Sequence, residues 1–214
     1  MHSSLKNIKV LGEVDVSDYV NLFSNIDDTD WMGEFNKFTK HYVPGFQELE
    51  ILPMLYSLKR THVTKFRDDY TVEEAASNWS IDNAVDYRTG GGLGEDYVTL
   101  KGRLYEKFYD ERLLTDIKKL LSDKFGDGTI SMFLLNLMNP HSNIEPHIDD
   151  TTGNKRRIHI PLITHPDIKF RNGSDEIHME VGKVYLFDHE KEHSVINPTD
   201  YERIHLIMDW RPND

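Results

Sequence analysis

A mainly β fold with flanking helices, closed as a double-sheet jelly roll, is what three features of the chain predict. After Gly128 the sequence breaks into about eight short runs rich in β-branched and aromatic residues. Turn formers punctuate those runs: Pro140, Pro146, Pro166, Gly173, Gly182 and Pro198. Before that point the clearest apolar periodicity is helical, so helices are expected to pack on the outside of the sheet and brace it. The 214 residues suffice for one well-buried core. The expected organisation is a single domain over 1–214, with a helix-rich supporting part at 1–128 and a jelly-roll core at 129–211.

In chain order, Leu5 to Val14 reads as a short edge strand. Asp15 is placed to cap a helix running to Phe23, with Val16, Tyr19, Val20 and Phe23 on one face. Trp31, Phe35 and Phe38 have the spacing of an amphipathic helix that Pro44-Gly45 would stop. Residues 58–87 follow no clear period, and Gly90-Gly91-Gly92-Leu93-Gly94 reads as a flexible surface turn, since no GK[ST] follows to make it a phosphate cradle. Leu104 to Phe125 is the strongest helix: Phe108, Leu114, Ile117, Leu120, Leu121 and Phe125 recur at three- and four-residue steps, and Gly126 ends it. The expected strands are 130–138, 144–148, 157–162, 168–170, 176–179, 183–187, 193–196 and 203–210. Eight short strands in some 80 residues suit a jelly roll whose mouth can hold a metal site.

Composition narrows the function. With 25 basic and 37 acidic side chains the formal charge is −12, a field that repels phosphate backbones, so no nucleic-acid partner is expected. Lys155-Arg156-Arg157 is the one compact basic cluster near the site described next, and it is too short to reverse that. The absence of cysteine excludes disulfides, thiolate zinc sites and cysteine nucleophiles. Met1 to Gly12 lacks the apolar core of a signal peptide and no stretch approaches a membrane span, which makes a cytoplasmic location without membrane association the expectation. Two-fold dimers are the commonest assemblies, and a homodimer through the helical first half is compatible with the sequence.

The chemistry concentrates in His147-Ile148-Asp149 and, further along, His193. On a strand, residues two apart face the same way, so an imidazole and a carboxylate can meet one ion while Ile148 faces the other side. Two histidines and one carboxylate form the ligand set of a non-haem iron(II) site with open coordination positions. The same ligands accept zinc, which leaves a zinc hydrolase as a second reading, and a surface salt-bridged pair would also look like HxD in a chain with 11 histidines. Two further same-face pairs, Arg157/His159 and Arg203/His205, imply a polar, positive interior in an acidic protein. A guanidinium is a rigid fork of donors suited to a carboxylate. A cosubstrate such as 2-oxoglutarate needs one end chelated to metal and the other held by such a group. Arg203 is the candidate anchor and Arg157 a candidate for a similar role; structural ion pairing with Asp188 or Asp209 is the alternative for these arginines. Together these features tilt the metal toward iron.

At these residues the chain resembles the aspartyl/asparaginyl β-hydroxylase family, a branch of the iron(II)/2-oxoglutarate oxygenases that includes bacterial free-proline hydroxylases. The resemblance lies in Leu137-Met138-Asn139-Pro140, Arg157-Ile158-His159-Ile160-Pro161-Leu162, Gly182 to Asp188, His193-Ser194-Val195-Ile196-Asn197, and Arg203 to Asp209, covering about 130–210. It implies a double-stranded β-helix, the cupin-like jelly roll, with metal ligands at His147 and His193. Some members lack the carboxylate ligand; Asp149 makes this chain more similar to the full-triad, proline-hydroxylase-like group. It further implies that Arg203 takes the distal carboxylate of 2-oxoglutarate, that Arg157 and His159 lie by its metal-bound end, and that Asn136 is a further polar contact. His205 lies beyond the usual signature.

The activity so implied uses Fe(II), 2-oxoglutarate and O2 to hydroxylate an unactivated carbon. A free amino acid or similar small molecule is the leading substrate class; a peptide or protein Asp/Asn side chain is the alternative, with Trp31 to Phe46 or Thr61 to Tyr87 as a lid or groove. A carboxylated substrate would call on Lys155, Arg156, Arg88 or Arg103. Asp188 is a candidate to orient a metal ligand from behind. Outside oxygenases two classes remain: a metal-binding jelly roll acting as an isomerase or ligand-binding module, and an inactive structural or partner-binding protein with a vestigial pocket, against which the intact His-Asp-His set argues.

Overall fold

The computed structural model describes residues 6–22, 49–59, 85–86, 97–101, 111–149 and 154–213. Its elements are β1 (Ile8–Glu13), α1 (Ser17–Leu22), β2 (Leu49–Lys59), β3 (Val85–Asp86), β4 (Tyr97–Lys101), α2 (Glu111–Phe125), β5 (Gly128–Met138) and β6 (Ser142–His147). They continue with β7 (Arg156–Ile163), β8 (Lys169–Asn172), β9 (Asp175–Ile177), β10 (Lys183–Phe187), β11 (His193–Asn197) and β12 (Arg203–Pro212). A large sheet in the order β1-β10-β7-β12-β5-β2-β4-β3 accompanies a small one in the order β6-β11-β8-β9. From β5 onward the chain crosses repeatedly between the two sheets. That winding is the double-stranded β-helix, and all eight strands expected after Gly128 are present.

Strand alternation gives the large sheet two unlike faces. On β12, Ile204, Leu206, Met208 and Trp210 join Leu135 and Leu137 of β5 and Ile158 and Ile160 of β7 in one apolar cluster. Leu113, Leu114, Ile117 and Leu121 of α2 and Val16 and Tyr19 of the α1 region close that cluster from outside. The amphipathic stripe of α2 thus covers the sheet, and Gly126, at a φ of 81°, ends the helix as its amide donates to Ser122 O at 2.9 Å. A second cluster contains Met138, Tyr185 and Phe187 from the large sheet and Ile144, Phe170 and Val195 from the small one. The same inner face also carries the polar residues Asn136, His159, Arg203 and His205, which belong to the site.

The first part of the chain departs from expectation. β1 is an edge strand paired to β10, as its pattern suggests, and Asp15 Oδ1 accepts from the Ser17 amide at 3.0 Å at the entry to α1. Yet β2, β3 and β4 are strands of the large sheet, so the described portion of 1–128 is not mainly helical. Pro53 conceals β2 in the sequence: proline lacks the ladder donor, and the β2–β5 register shifts between Pro53 and Leu55, where a bulge accommodates it. The Trp31/Phe35/Phe38 helix, the Gly90–Gly94 turn and residues 104–110 of the expected long helix lie outside the described residues.

Asp175 ties the edge strand down. Its Oδ2 accepts the amides of Lys6, Asn7 and Ile8 at 2.7, 2.5 and 3.3 Å, and these bonds, that from Asn7 foremost, hold its carboxyl below the usual range. The core on the other face has the larger energetic role. Leu206 is fully buried on β12, which lies between β5 and β7. Leu206→Ala is expected to cost about 2–5 kcal/mol through lost burial and the cavity left behind, read as a lower urea midpoint at unchanged slope.

Candidate metal centre

His147 and His193 face each other as a cross-strand pair on β6 and β11, with ring centroids 4.2 Å apart. Each ring is fixed from behind by a carbonyl two residues earlier: His147 Nδ1 to Glu145 O at 2.7 Å, His193 Nδ1 to Lys191 O at 3.0 Å. A carbonyl only accepts, so Nδ1 carries the proton in both rings and each Nε2 presents a lone pair. Asp149 follows directly after β6, its amide donating to His189 O at 3.3 Å. Its Oδ1 lies 3.8 Å from His147 Nε2, and its Oδ2 lies 3.8 Å from His193 Nε2. Donor atoms of the three residues all lie within 4.8 Å of one another.

The electrostatics suit a cation. Burial alone would raise the Asp149 carboxyl, but Arg157, His193, His147 and Lys155 outweigh it and hold the group below its usual range. Desolvation depresses His193 against the pull of Asp149, which favours the neutral ring a ligand requires. One anionic and two neutral donors converging on one point is a set that ferrous iron fits.

Arg157 braces this set. Its Nη1 donates to Asp149 Oδ2 at 2.6 Å, while Nε and Nη2 fork onto the carboxylate of Asp209, its register partner on β12, with Nη2 to Oδ2 at 3.0 Å. Lys155 Nζ stands 3.8 Å from the same Asp209 oxygen. Of the two pairing partners considered from sequence, Asp209 is the one in place. Asp188 does not back His193: its Oδ1 accepts the Glu190 amide at 3.1 Å within a turn, and the backbone carbonyl of Lys191 orients the imidazole instead.

Arg203 lies deeper, 1% exposed. Nη1 donates to Asn136 Oδ1 at 3.3 Å and Nη2 meets His205 Nδ1 at 2.8 Å. No carboxylate pairs with it among the described residues, and burial lowers its pKa to about 9, leaving it cationic at neutral pH. His159 stands between the two regions. Its ring lies 5.7 Å from His205 and 4.8 Å from Phe187, and Phe187 lies 5.0 Å from His193. Thus Asn136, His159, Arg203 and His205 gather on the inner face, linked by rings to the three donors. Asp209 is read from the sequence only as an ion-pair partner, and His189 is not singled out there at all. For Asp209 the available signal was its even spacing from Arg203 and His205 on one strand; His189, buried beside Arg157 and Lys155, offered none.

Fold and donor set define a double-stranded β-helix with a two-histidine, one-carboxylate centre. The chain belongs to the aspartyl/asparaginyl β-hydroxylase family, whose model matches residues 61–212, more than half of its length. No curated protein matches it in sequence. Among solved structures it is similar to EvdMO1, with 14% identity, a TM-score of 0.50, and 97% of this chain covering 48% of that one. A 2OG-Fe(II) oxygenase family oxidoreductase from Burkholderia pseudomallei is 18% identical at a TM-score of 0.40, over 49% of this chain and 56% of that one. The viral collagen prolyl hydroxylase of Paramecium Bursaria Chlorella virus-1, in its 2OG complex, is 12% identical at 0.39, over 48% and 71%. The match thus spans only about half of the EvdMO1 and Burkholderia chains. No helix among the described residues is long and apolar enough to cross a membrane.

The buried rings make stability depend on pH. Desolvation first, then Arg203 and other nearby cations, hold His159 and His205 well below the usual 6.5. The unfolded chain therefore binds protons that the native protein refuses, so this stability is full above 6.5 and declines as pH falls toward the depressed native values. The urea midpoint is expected to drop between pH 6.5 and about pH 5, less steeply in His205→Gln; a flat profile would contradict the assignment.

Proposed function

We propose that the protein is an iron(II)/2-oxoglutarate-dependent dioxygenase that hydroxylates an unactivated carbon of a free amino acid or similar small molecule. The observation that carries this reading is Arg203, a buried guanidinium with no described carboxylate partner, linked by a row of rings to His147, Asp149 and His193. A fully enclosed structural zinc site would leave no open coordination position, whereas a metal-chelated dicarboxylate would occupy open positions and complete the pairing of Arg203. Ferrous iron, when bound, supplies the redox chemistry that couples oxidative decarboxylation of 2-oxoglutarate by O2 to hydroxylation.

The chain's own residues bind and orient. His147 and His193 offer Nε2 because their Nδ1 protons are committed to carbonyls, and Asp149 offers the one negative charge. Arg157 was expected to hold a carboxylate of the cosubstrate; its bonds to Asp149 and Asp209 support the task of aiming and ionising the metal-binding carboxylate. Arg203, steadied by Asn136, takes the distal carboxylate, and His159 lies on the way to the metal-bound end. The full triad with Asp149 supports placement beside the free-proline hydroxylase-like members, and hence a small substrate.

Under anaerobic conditions, ferrous iron with 2-oxoglutarate should give the weak visible charge-transfer band of the chelate. In air, succinate release should rise with one member of an amino-acid panel; release with an Asp- or Asn-containing peptide alone would move the substrate to a protein side chain. His193→Ala and Asp149→Ala are expected to abolish iron-dependent succinate formation. Arg203→Ala should raise the KM for 2-oxoglutarate by roughly 100-fold, within the range for removing one partner of a buried charged pair. Absence of both band and succinate in the unaltered protein would rule the reading out.

A further inference from the structure

We propose that Asn172 is a positioning residue for the metal centre: it clamps the loop whose backbone carbonyls aim His193 and Asp149, and Asn7, just ahead of β1, locks that clamp. This rests on the reading above only in that His147, Asp149 and His193 hold a divalent metal. Asp188 to Glu192 connect β10 to β11. Two of the three donors depend on the backbone of this loop. Lys191 O takes the Nδ1 proton of His193 at 3.0 Å, and His189 O takes the Asp149 amide at 3.3 Å. Within the loop, Asp188 O accepts the Lys191 amide at 3.1 Å. From β8, Asn172 Nδ2 donates to the same Asp188 O at 2.8 Å, and the Gly173 amide donates to Glu192 O at 2.9 Å. The end of β8 thus grips both ends of the loop.

Asn172 is the register partner of His193, so His147, His193 and Asn172 form one row across β6, β11 and β8. Its side chain is fully buried, and its Oδ1 has no hydrogen-bond partner among the described residues. A buried acceptor left unpaired costs on the order of 1–3 kcal/mol. A leucine of similar size would avoid that cost but could not donate to Asp188 O, and this bond is the difference between the two residue types here. Asn7 closes the arrangement from the other side. Its carbonyl accepts the Asp188 amide at 2.9 Å, and its Nδ2 donates to Asn172 O at 3.0 Å. Packing there is close: a Cβ on Gly173 would stand 2.8 Å from Asn7 Nδ2. Asp175 in turn fixes the Asn7 backbone by accepting its amide. Asp188 is therefore held through its amide by Asn7 and through its carbonyl by Asn172. Without that hold the carbonyls of His189 and Lys191 lose their fixed positions, and with them go the aim of the Asp149 carboxylate and of the His193 ring.

The test measures Mn(II) affinity and the visible ligand-field absorption of the Co(II)-loaded protein, neither of which requires turnover. Asn172→Leu is expected to weaken Mn(II) by about 10-fold or more, the usual effect of losing a group that orients a metal ligand, and to alter the Co(II) bands. Asn7→Ala should give a smaller loss in the same direction. Leu206→Ala, which destabilises the protein from the opposite face of the large sheet, should leave both readouts as they are, which separates positioning from stability. Unchanged affinity and bands in Asn172→Leu, or an equal loss in Leu206→Ala, would overturn the role of Asn172. Should Asn172→Leu not fold, Asn7→Ala decides by the same two readouts, and an unaltered result there overturns the clamp. If the unaltered protein binds Mn(II) tightly but neither binds nor turns over 2-oxoglutarate, the oxygenase reading falls and this inference stands. If it binds no divalent metal, both fall.

Discussion

Arg203 holds a positive charge on the inner face of a strand flanked by β5 and β7, where water does not reach it and no described carboxylate answers it. Removing an ion from water costs several kcal/mol even after relaxation. Asn136 and His205 return part of that as neutral hydrogen bonds, and neither supplies an opposite charge. A fold that keeps such a residue needs either a compensating anion or a reason to tolerate the cost. On the oxygenase reading proposed above, the compensating anion is the cosubstrate's carboxylate.

Topology is what makes the arrangement affordable. The central strands β5, β7 and β12 pack apolar side chains with the helices on one face and carry polar side chains on the other. On β12 the odd positions 203, 205 and 209 are polar, while the even positions 204 to 210 are apolar and packed into the outer cluster. Stability can therefore reside largely on one side of the sheet and chemistry on the other. The two histidines come from neighbouring strands of the small sheet, so a single register, His147 opposite His193, fixes their separation before any metal is involved. Arg157 of the large sheet then reaches Asp149 and joins the sheets through the metal-binding carboxylate.

Much of this was legible in the sequence because it depends on a period of two. The HxD pair, Arg157/His159 and Arg203/His205 announce inward-facing positions on short strands, and short strands are what the turn residues after Gly128 dictate. Legibility ended where long-range geometry decides. Nothing local distinguishes Arg157 from Arg203, yet among the described residues one meets two carboxylates and the other none. Asp188 looked suited to backing His193 by proximity in sequence, but the turn orients it toward Glu190 and a backbone carbonyl does the work. In the first half, Pro53 disguised β2 because a proline usually excludes a ladder strand, and only the register shift beside it shows how the sheet absorbs it.

The contrast between the two arginines is itself a functional statement. Arg157 is shared by the carboxylates of Asp149 and Asp209, with Lys155 close to the same Asp209 oxygen. Arg203, by contrast, meets no carboxylate among the described residues. On the oxygenase reading proposed above, the two arginines divide the work: Arg157 supports the Asp149 carboxylate, and Arg203 favours a ligand long enough to reach it from the three donors.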